Sequence, residues 1–355
     1  MRGPETPAVL AALQGHIAIA QGDMPCNPLR SISNPDVSRC PPYVHQRGFE
    51  YQGGIVAEGS RSLLMLQMTR GTTPRDPSTV TVTLIRSRCA VEGAACKPEQ
   101  KAIASWTTPA GDNLYRKPMV LSPDGRWLAT VPESRLLKLD GYSPRLTSGQ
   151  RFRDSRTVGE LVLIDLQSGR QRRIGVELLD EQPISWSADG KRLLVVRAET
   201  SDQLTPRLAA DVQGNEGDSE QGIPVVEMPS VETGAREMLA IGLDPLWSAD
   251  QATLLFKVAD DKRELRDLKT GVSRAIELPG TTGRFGAIDF VGPRQVLYWG
   301  LPTEGTEPES TVNNSPLIGP KQMVSLKVVD LDSLAFATVV PSIDPRANVG
   351  YFARD

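Results

Sequence analysis

The sequence predicts an all-β protein built from repeated antiparallel hairpins, and three observations carry that prediction. A phrase recurs: Pro118 to Val131 holds Ser122-Pro123-Asp124-Gly125 between two apolar runs, Pro183 to Val196 holds Ser187-Ala188-Asp189-Gly190, and Pro245 to Phe256 holds the weaker Ser248-Ala249-Asp250. A second punctuation follows each copy, at Asp165 to Gly169, Glu232 to Gly234 and Asp267 to Gly271, and recurs at Asp330 to Ser333. The 31 Gly and 28 Pro among 355 residues suit many short strands joined by tight turns. Such a unit cannot bury both of its faces alone, so its repetition at roughly 45 to 65 residues predicts a β-propeller of four-stranded antiparallel blades.

The elements follow in order. Residues 1–50 form an N-terminal segment in which Arg2, the apolar run Ala8 to Leu13 and Ala18-Ile19-Ala20 have the parts of a secretory signal. Glu5 and Gln14-Gly15-His16 interrupt that pattern, so a short packed segment is the competing reading. All four cysteines fall early, at Cys26, Cys40, Cys89 and Cys96. Two close-spaced pairs suit two local disulfides in an oxidising compartment, with Cys89 and Cys96 bridging the mouth of one hairpin. Zinc, with His45 nearby, and free thiols remain the alternatives, although neither pair has the usual spacing of structural zinc ligands.

The propeller is expected over residues 51–342, with 343–355 as a tail, closing strand or linker. Gly54 to Trp106 makes a first blade, with Ile55-Val56-Ala57 and Leu63 to Leu66 as its inner strands and Thr79 to Ile85 as its third. Blades two to four follow at 117–176, 183–241 and 245–280. A fifth at 285–340 has Ala287 to Phe290 and Gln295 to Trp299 as its inner pair. Five blades are visible, and a sixth could be assembled by pairing part of residues 15–50 with Ala347 to Arg354, which removes the last free sheet edges.

Within each repeat the Ser-x-Asp-(Gly) turn has a structural explanation. Asp124 and Asp189 are suited to accept hydrogen bonds from their own turn amides, and Gly supplies the positive φ. Trp186 and Trp247 occupy one blade position and are expected to pack between blades. On these residues the chain resembles the propeller repeats of the periplasmic Tol–Pal translocation protein and of the N-terminal propeller of dipeptidyl peptidase IV and prolyl oligopeptidase relatives. The resemblance covers residues 117–340. It implies a propeller scaffold and leaves activity open, because such propellers act as scaffolds, receptors and gates.

Composition narrows the function. A net charge of -3 and a pI of about 5.7 argue against nucleic acid as a partner, and no apolar run approaches bilayer-spanning length. There is no Gly-x-Ser-x-Gly, P-loop, Gly-x-Gly-x-x-Gly or His-Glu-x-x-His, and only His16 and His45 are available for imidazole chemistry. Asp211 to Asp218 lacks the ligand spacing of a calcium loop. No catalytic residue, metal or cofactor is therefore assigned.

The informative departures from the repeat are its connections between strands two and three. The connection is minimal in blade four, at Asp260 to Lys262, and swells at Pro132 to Val158, Ala198 to Gly222 and Leu301 to Lys321. Equivalent connections emerge on one face of the disc, and long loops in compact domains tend to be functional or disordered. In the blade-two insertion Arg135, Lys138, Arg145, Arg151, Arg153 and Arg156 outnumber Glu133, Asp140 and Asp154, a net of +3. In the blade-three insertion six acids against Arg207 leave a net of -5. A solvated loop is the simpler reading of the acidic insertion. In the basic one Tyr142 and Phe152 lie among the charges, so Arg135, Lys138, Tyr142, Arg145, Arg151, Phe152 and Arg153 are the candidate binding residues for a protein or peptide partner. Three functions compete: an exported non-enzymatic scaffold or receptor, the gating propeller of a prolyl-oligopeptidase-like serine peptidase of the lasso-peptide isopeptidase kind, and a propeller lyase or glycosidase.

Overall fold

A computed structural model of the chain describes residues 62–70, 79–88, 99–109, 118–133, 156–179, 182–199, 203–206, 208, 223–248, 250–258, 262–279, 287–301 and 324–343. It also describes the short strands at 16–20, 29–31, 38–39, 55–57, 135–137 and 348–352. The secondary structure is almost entirely β. Blade one comprises β4 (Ile55–Ala57), β5 (Ser62–Arg70), β6 (Thr79–Arg88) and β7 (Glu99–Pro109). Blade two comprises β8 (Met119–Leu121), β9 (Trp127–Thr130), β11 (Arg156–Asp165) and β12 (Gln171–Leu179), with the extra strand β10 (Arg135–Leu137) paired to the start of β11. Blade three is β13 (Ser185–Trp186), β14 (Leu193–Glu199), β15 (Ile223–Pro229) and β16 (Arg236–Ile241). Blade four is β17 (Leu243–Trp247), β18 (Thr253–Lys257), β19 (Arg263–Asp267) and β20 (Ser273–Ile276). Blade five is β21 (Ala287–Phe290), β22 (Gln295–Gly300), β23 (Val324–Asp330) and β24 (Phe336–Ile343). In each blade the strands pair antiparallel in chain order.

A further four-stranded sheet joins the two ends of the chain. It contains β1 (His16–Ala20), β2 (Leu29–Ser31) and β3 (Ser38–Arg39), with β25 (Asn348–Phe352) paired to β1 from His16↔Phe352 to Ala20↔Asn348. β25 lies beside β21, the inner strand of blade five. Both ends of the chain thus contribute to one sheet, and an edge that either would leave open is paired.

The repeated turns form because each Asp closes its own loop. Asp124 Oδ1 accepts from the Arg126 amide at 3.0 Å and from Ser122 Oγ, and Asp189 Oδ1 accepts from the Lys191 amide at 3.0 Å and from Ser187 Oγ at 2.6 Å. These bonds to the ionised form hold both carboxyls below their ordinary range, the serine hydroxyl contributing most. Gly125 and Gly190 both sit at φ 67°, and in the degenerate third copy Gln251 adopts φ 58° at the same position.

The core lies between blades rather than inside them. Leu193 and Val195 pack toward blade two with Trp186, Leu161 and Leu163, while the alternate residues Leu194 and Val196 pack toward blade four with Trp247, Leu254 and Phe256. A sheet sandwiched by two neighbours must be apolar on both faces. That is why the second strands read as unbroken runs such as Leu193-Leu194-Val195-Val196.

Candidate interaction face

The face from which the connections between second and third strands emerge is built blade by blade. In blade two, the Trp106 indole on β7 donates to the Pro132 carbonyl at 3.1 Å, so blade one fixes the point where the chain leaves β9. The insertion does not leave the sheet at once. Its two ends zip together as β10 and β11, with Arg135↔Val158, Leu136↔Thr157 and Leu137↔Arg156. Gly159 makes that crossing feasible, because a Cβ there would lie 2.2 Å from the Glu133 carbonyl oxygen.

At this root lies a cavity of about 260 Å³ lined by Pro132, Glu133, Val158, Gly159, Glu160, Arg173 and Glu177. Glu160 and Glu177 are direct cross-strand partners, a like-charge pairing that an isolated sheet would not favour. Arg173 compensates, donating to Glu160 at 2.6 Å and lying 3.9 Å from Glu133, and the hydrogen bond and charge of Glu160 raise its guanidinium pKa further. Among the described residues the lining is rich in carboxylate, with Glu133 and Glu160 sharing Arg173. Chemically it suits a cationic group.

In blade three the start of the acidic insertion is folded rather than solvated. Leu208 is 1% exposed and packs with Leu204 against Ile223, Val225 and Ile241, and the backbone is helical at Pro206 and Leu208. Thr205-Pro206 is a favourable helix start, and the two leucines four residues apart reach one apolar surface. Beneath it four charged groups meet within the sheet: Arg197 and Glu199 on β14, Glu227 on β15 and Arg236 on β16. In blade four the connection is closed tightly, the Val258 amide donating to the Lys262 carbonyl at 3.0 Å. Asp244, at φ 49°, donates its amide to Gln182 Oε1 of blade three at 2.7 Å. In blade five Ser325 Oγ donates toward the carbonyls of Gly300 and Leu301 at the root of that insertion.

Of the candidate binding residues, Arg135 lies on β10, beside Val158 in the register. Lys138, Tyr142, Arg145, Arg151, Phe152 and Arg153 lie outside the described residues, as do Cys26, Cys40, Cys89 and Cys96. Trp186 Nε1 donates to the Val120 carbonyl of blade two at 3.1 Å, and Trp247 is buried in the core between blades three and four. Among the described residues there is no group of three or more His, Cys, Asp or Glu side chains able to hold a metal ion, and no helix long and apolar enough to cross a membrane. Glu133, Glu160, Arg173 and Glu177 were not singled out from the sequence as a group. They are up to 44 residues apart and meet only through the β9, β11 and β12 register.

Repeated four-stranded antiparallel sheets with cores between them define a β-propeller. Its structural resemblance runs to TolB-type and peptidase propellers. The sequence matches no protein-family model and no curated protein. TolB from Acinetobacter baumannii is 15% identical with a TM-score of 0.43, the match covering 82% of this chain and 56% of that one. A TolB homologue from Agrobacterium tumefaciens is 13% identical with a TM-score of 0.43, covering 96% and 99%. The β-propeller domain of the Trilobed protease from Pyrococcus furiosus is 11% identical with a TM-score of 0.41, covering 82% and 71%. The chain thus spans little more than half the length of the Acinetobacter protein.

Proposed function

We propose that this chain is an exported, non-enzymatic β-propeller that binds a protein or peptide partner through its insertion-bearing face, as a scaffold or receptor. The observation that carries this reading is the contrast between blades. Blades two, three and five each expand the same connection by about twenty residues, whereas blade four closes it within Asp260 to Lys262. Long connections carried on a rigid scaffold are a common way to present a recognition surface. The carboxylate-lined cavity at Glu133 and Glu160 would receive a lysine or arginine of the partner in exchange for Arg173, and the arginines of the blade-two insertion would meet its acidic residues.

Export is supported by the cysteines. Arg88 pairs with Glu99 across β6 and β7, so Cys89 and Cys96 both belong to one connection closed by that pair, and a disulfide there is the proposed arrangement. Non-reducing peptide mapping checks it, and recovery of both thiols free from an oxidising compartment overturns it.

The binding face is tested by replacing residues 138–155 with a short turn that joins β10 directly to β11, leaving the Arg135↔Val158 ladder in place. Affinity capture with the intact chain and with this variant, both shown to unfold at similar temperature, should recover a partner only with the intact chain. Identical partners from both would place binding elsewhere. A hydrolase domain with Gly-x-Ser-x-Gly encoded in the same reading frame would select the peptidase gate instead.

A further inference from the structure

The blade-three quartet lies beneath the root of its insertion, and its geometry is unusual. The register places Arg197, Glu199, Glu227 and Arg236 on one side of the sheet, since Val195 opposes Glu227 and Arg236 opposes Pro229. Glu199 and Glu227 have side chains 1% and 0% exposed. Arg197 Nε lies 3.2 Å from Glu199 Oε1 but 3.6 Å from Glu227 Oε1, and Arg236 Nη1 lies 2.8 Å from Glu199 Oε1 but 3.7 Å from Glu227 Oε2. Both guanidinium groups lean to Glu199. Neither oxygen of Glu227 has a hydrogen-bond partner, and neither does Arg197 Nε.

An ionised carboxylate held dry without a hydrogen bond is strongly disfavoured. We propose that the quartet is a proton-binding switch, in which a single proton carried on Glu227 holds β14 to β15 at the root of the blade-three insertion, and its loss loosens them. Glu199 is the last residue of β14 and Ile223 the first of β15, so the quartet sits where the insertion leaves and re-enters the sheet.

The charge balance favours Glu227 as the proton carrier. With both carboxylates ionised the four groups are neutral. With Glu227 protonated one positive charge is left over, and it is shared by Arg197 and Arg236, whose side chains are 19% and 33% exposed and reach water. Burial pushes Glu227 up to about 7, aided by the charge of Glu199 and opposed by Arg197 and Arg236. The other charged groups on the packed elements are otherwise engaged. On β12, which packs against β14, Arg172 donates to the Val231 carbonyl and Arg173 to Glu160, while Glu177 opposes Glu160. On β16 Glu237 pairs with Arg192, and on β17 the Asp244 carboxylate acts on the Arg263 guanidinium of β19.

The sign follows directly. A carboxyl whose folded pKa is raised contributes stability that is fully present below the unfolded value and is lost as pH rises through the folded one. For Glu227 that window runs from about 4.5 to 7 and beyond. The test is ¹³C NMR of the glutamate side-chain carboxyls across pH 4 to 9, with hydrogen exchange of the β14 and β15 amides. Asp289, also pushed up to about 7 by burial, reports at a different carbon and does not confuse the first readout.

One glutamate Cδ titrating near neutrality, absent in Glu227→Gln, is the expected result. Glu199→Gln, which frees both arginines for Glu227, should move that midpoint down by a unit or more. After correction for intrinsic exchange, protection of β14 and β15 should fall by up to about tenfold between pH 6 and 8 in the wild type and stay level in Glu227→Gln. A Glu227 midpoint below about 5, close to an ordinary glutamate, overturns the proposal. So does an unchanged slope in Glu227→Gln. If that variant does not fold, the wild-type midpoint and its displacement in Glu199→Gln decide the matter.

Discussion

At the scale of single residues, the turns show how little of a repeat has to be kept for it to fold. Asp165, Asp267 and Asp330 each accept amide hydrogen bonds two or three residues on, and such local bonds lower their carboxyl pKa values, Asp165 to about 2. Those contacts span two or three positions, so the residue types alone reveal them. Close approach is different. Gly169 and Gly234 occupy equivalent turns at φ 73° and 70°, but a Cβ at Gly169 would lie 2.2 Å from the Ile103 carbonyl oxygen of blade one, whereas at Gly234 it meets nothing within 4 Å. Gly234→Ala is expected to cost about 1 kcal/mol for the left-handed backbone alone. Gly169→Ala should cost about 3 kcal/mol, because the turn or the β7 backbone must also shift. Urea unfolding of the two variants checks the difference, and equal midpoints would mean that the blades are not pressed together at this point.

At the scale of elements, neighbouring blades are joined by the same device in several places. A long side chain of one blade donates to the carbonyl of the residue just inside the last turn of the next: Arg86 to Leu166, Arg172 to Val231 and Arg274 to Leu331. These arginines are part-buried or exposed, so each adds about 1 kcal/mol or less. The indole contacts matter more. Trp186→Phe keeps most of the apolar packing but leaves the Val120 carbonyl without its donor, an expected loss of about 1 to 3 kcal/mol measured by denaturant unfolding. A loss below about 0.5 kcal/mol would show that water replaces the indole. The four-strand blade was legible because its two kinds of turn alternate along the chain. β10 was not: Arg135-Leu136-Leu137 is a three-residue strand inside a charged stretch, and only pairing with Arg156 to Val158 makes it one.

At the scale of the whole molecule, the two ends of the chain depend on each other. β25 supplies five backbone partners to β1, and the terminal sheet is the only one assembled from distant segments among the described residues. Deleting residues 347–355 should leave β1 with an open edge, lower the melting temperature by at least several degrees and promote self-association. Scanning calorimetry with size-exclusion chromatography checks both, and a truncated chain that melts at the wild-type temperature as a monomer would mean that β25 adds nothing to the ring. The apolar repeat, its turn residues and the insertions were set by the sequence alone, because hairpins, Asp-capped turns and two-sided burial depend on neighbours a few positions apart. The tertiary structure decided what long-range register brings together: the carboxylate-lined root at Glu133 and Glu160, and the dry carboxylate of Glu227 between two arginines. Charge and burial act through space, and no spacing along the chain encodes which strands will place those groups side by side.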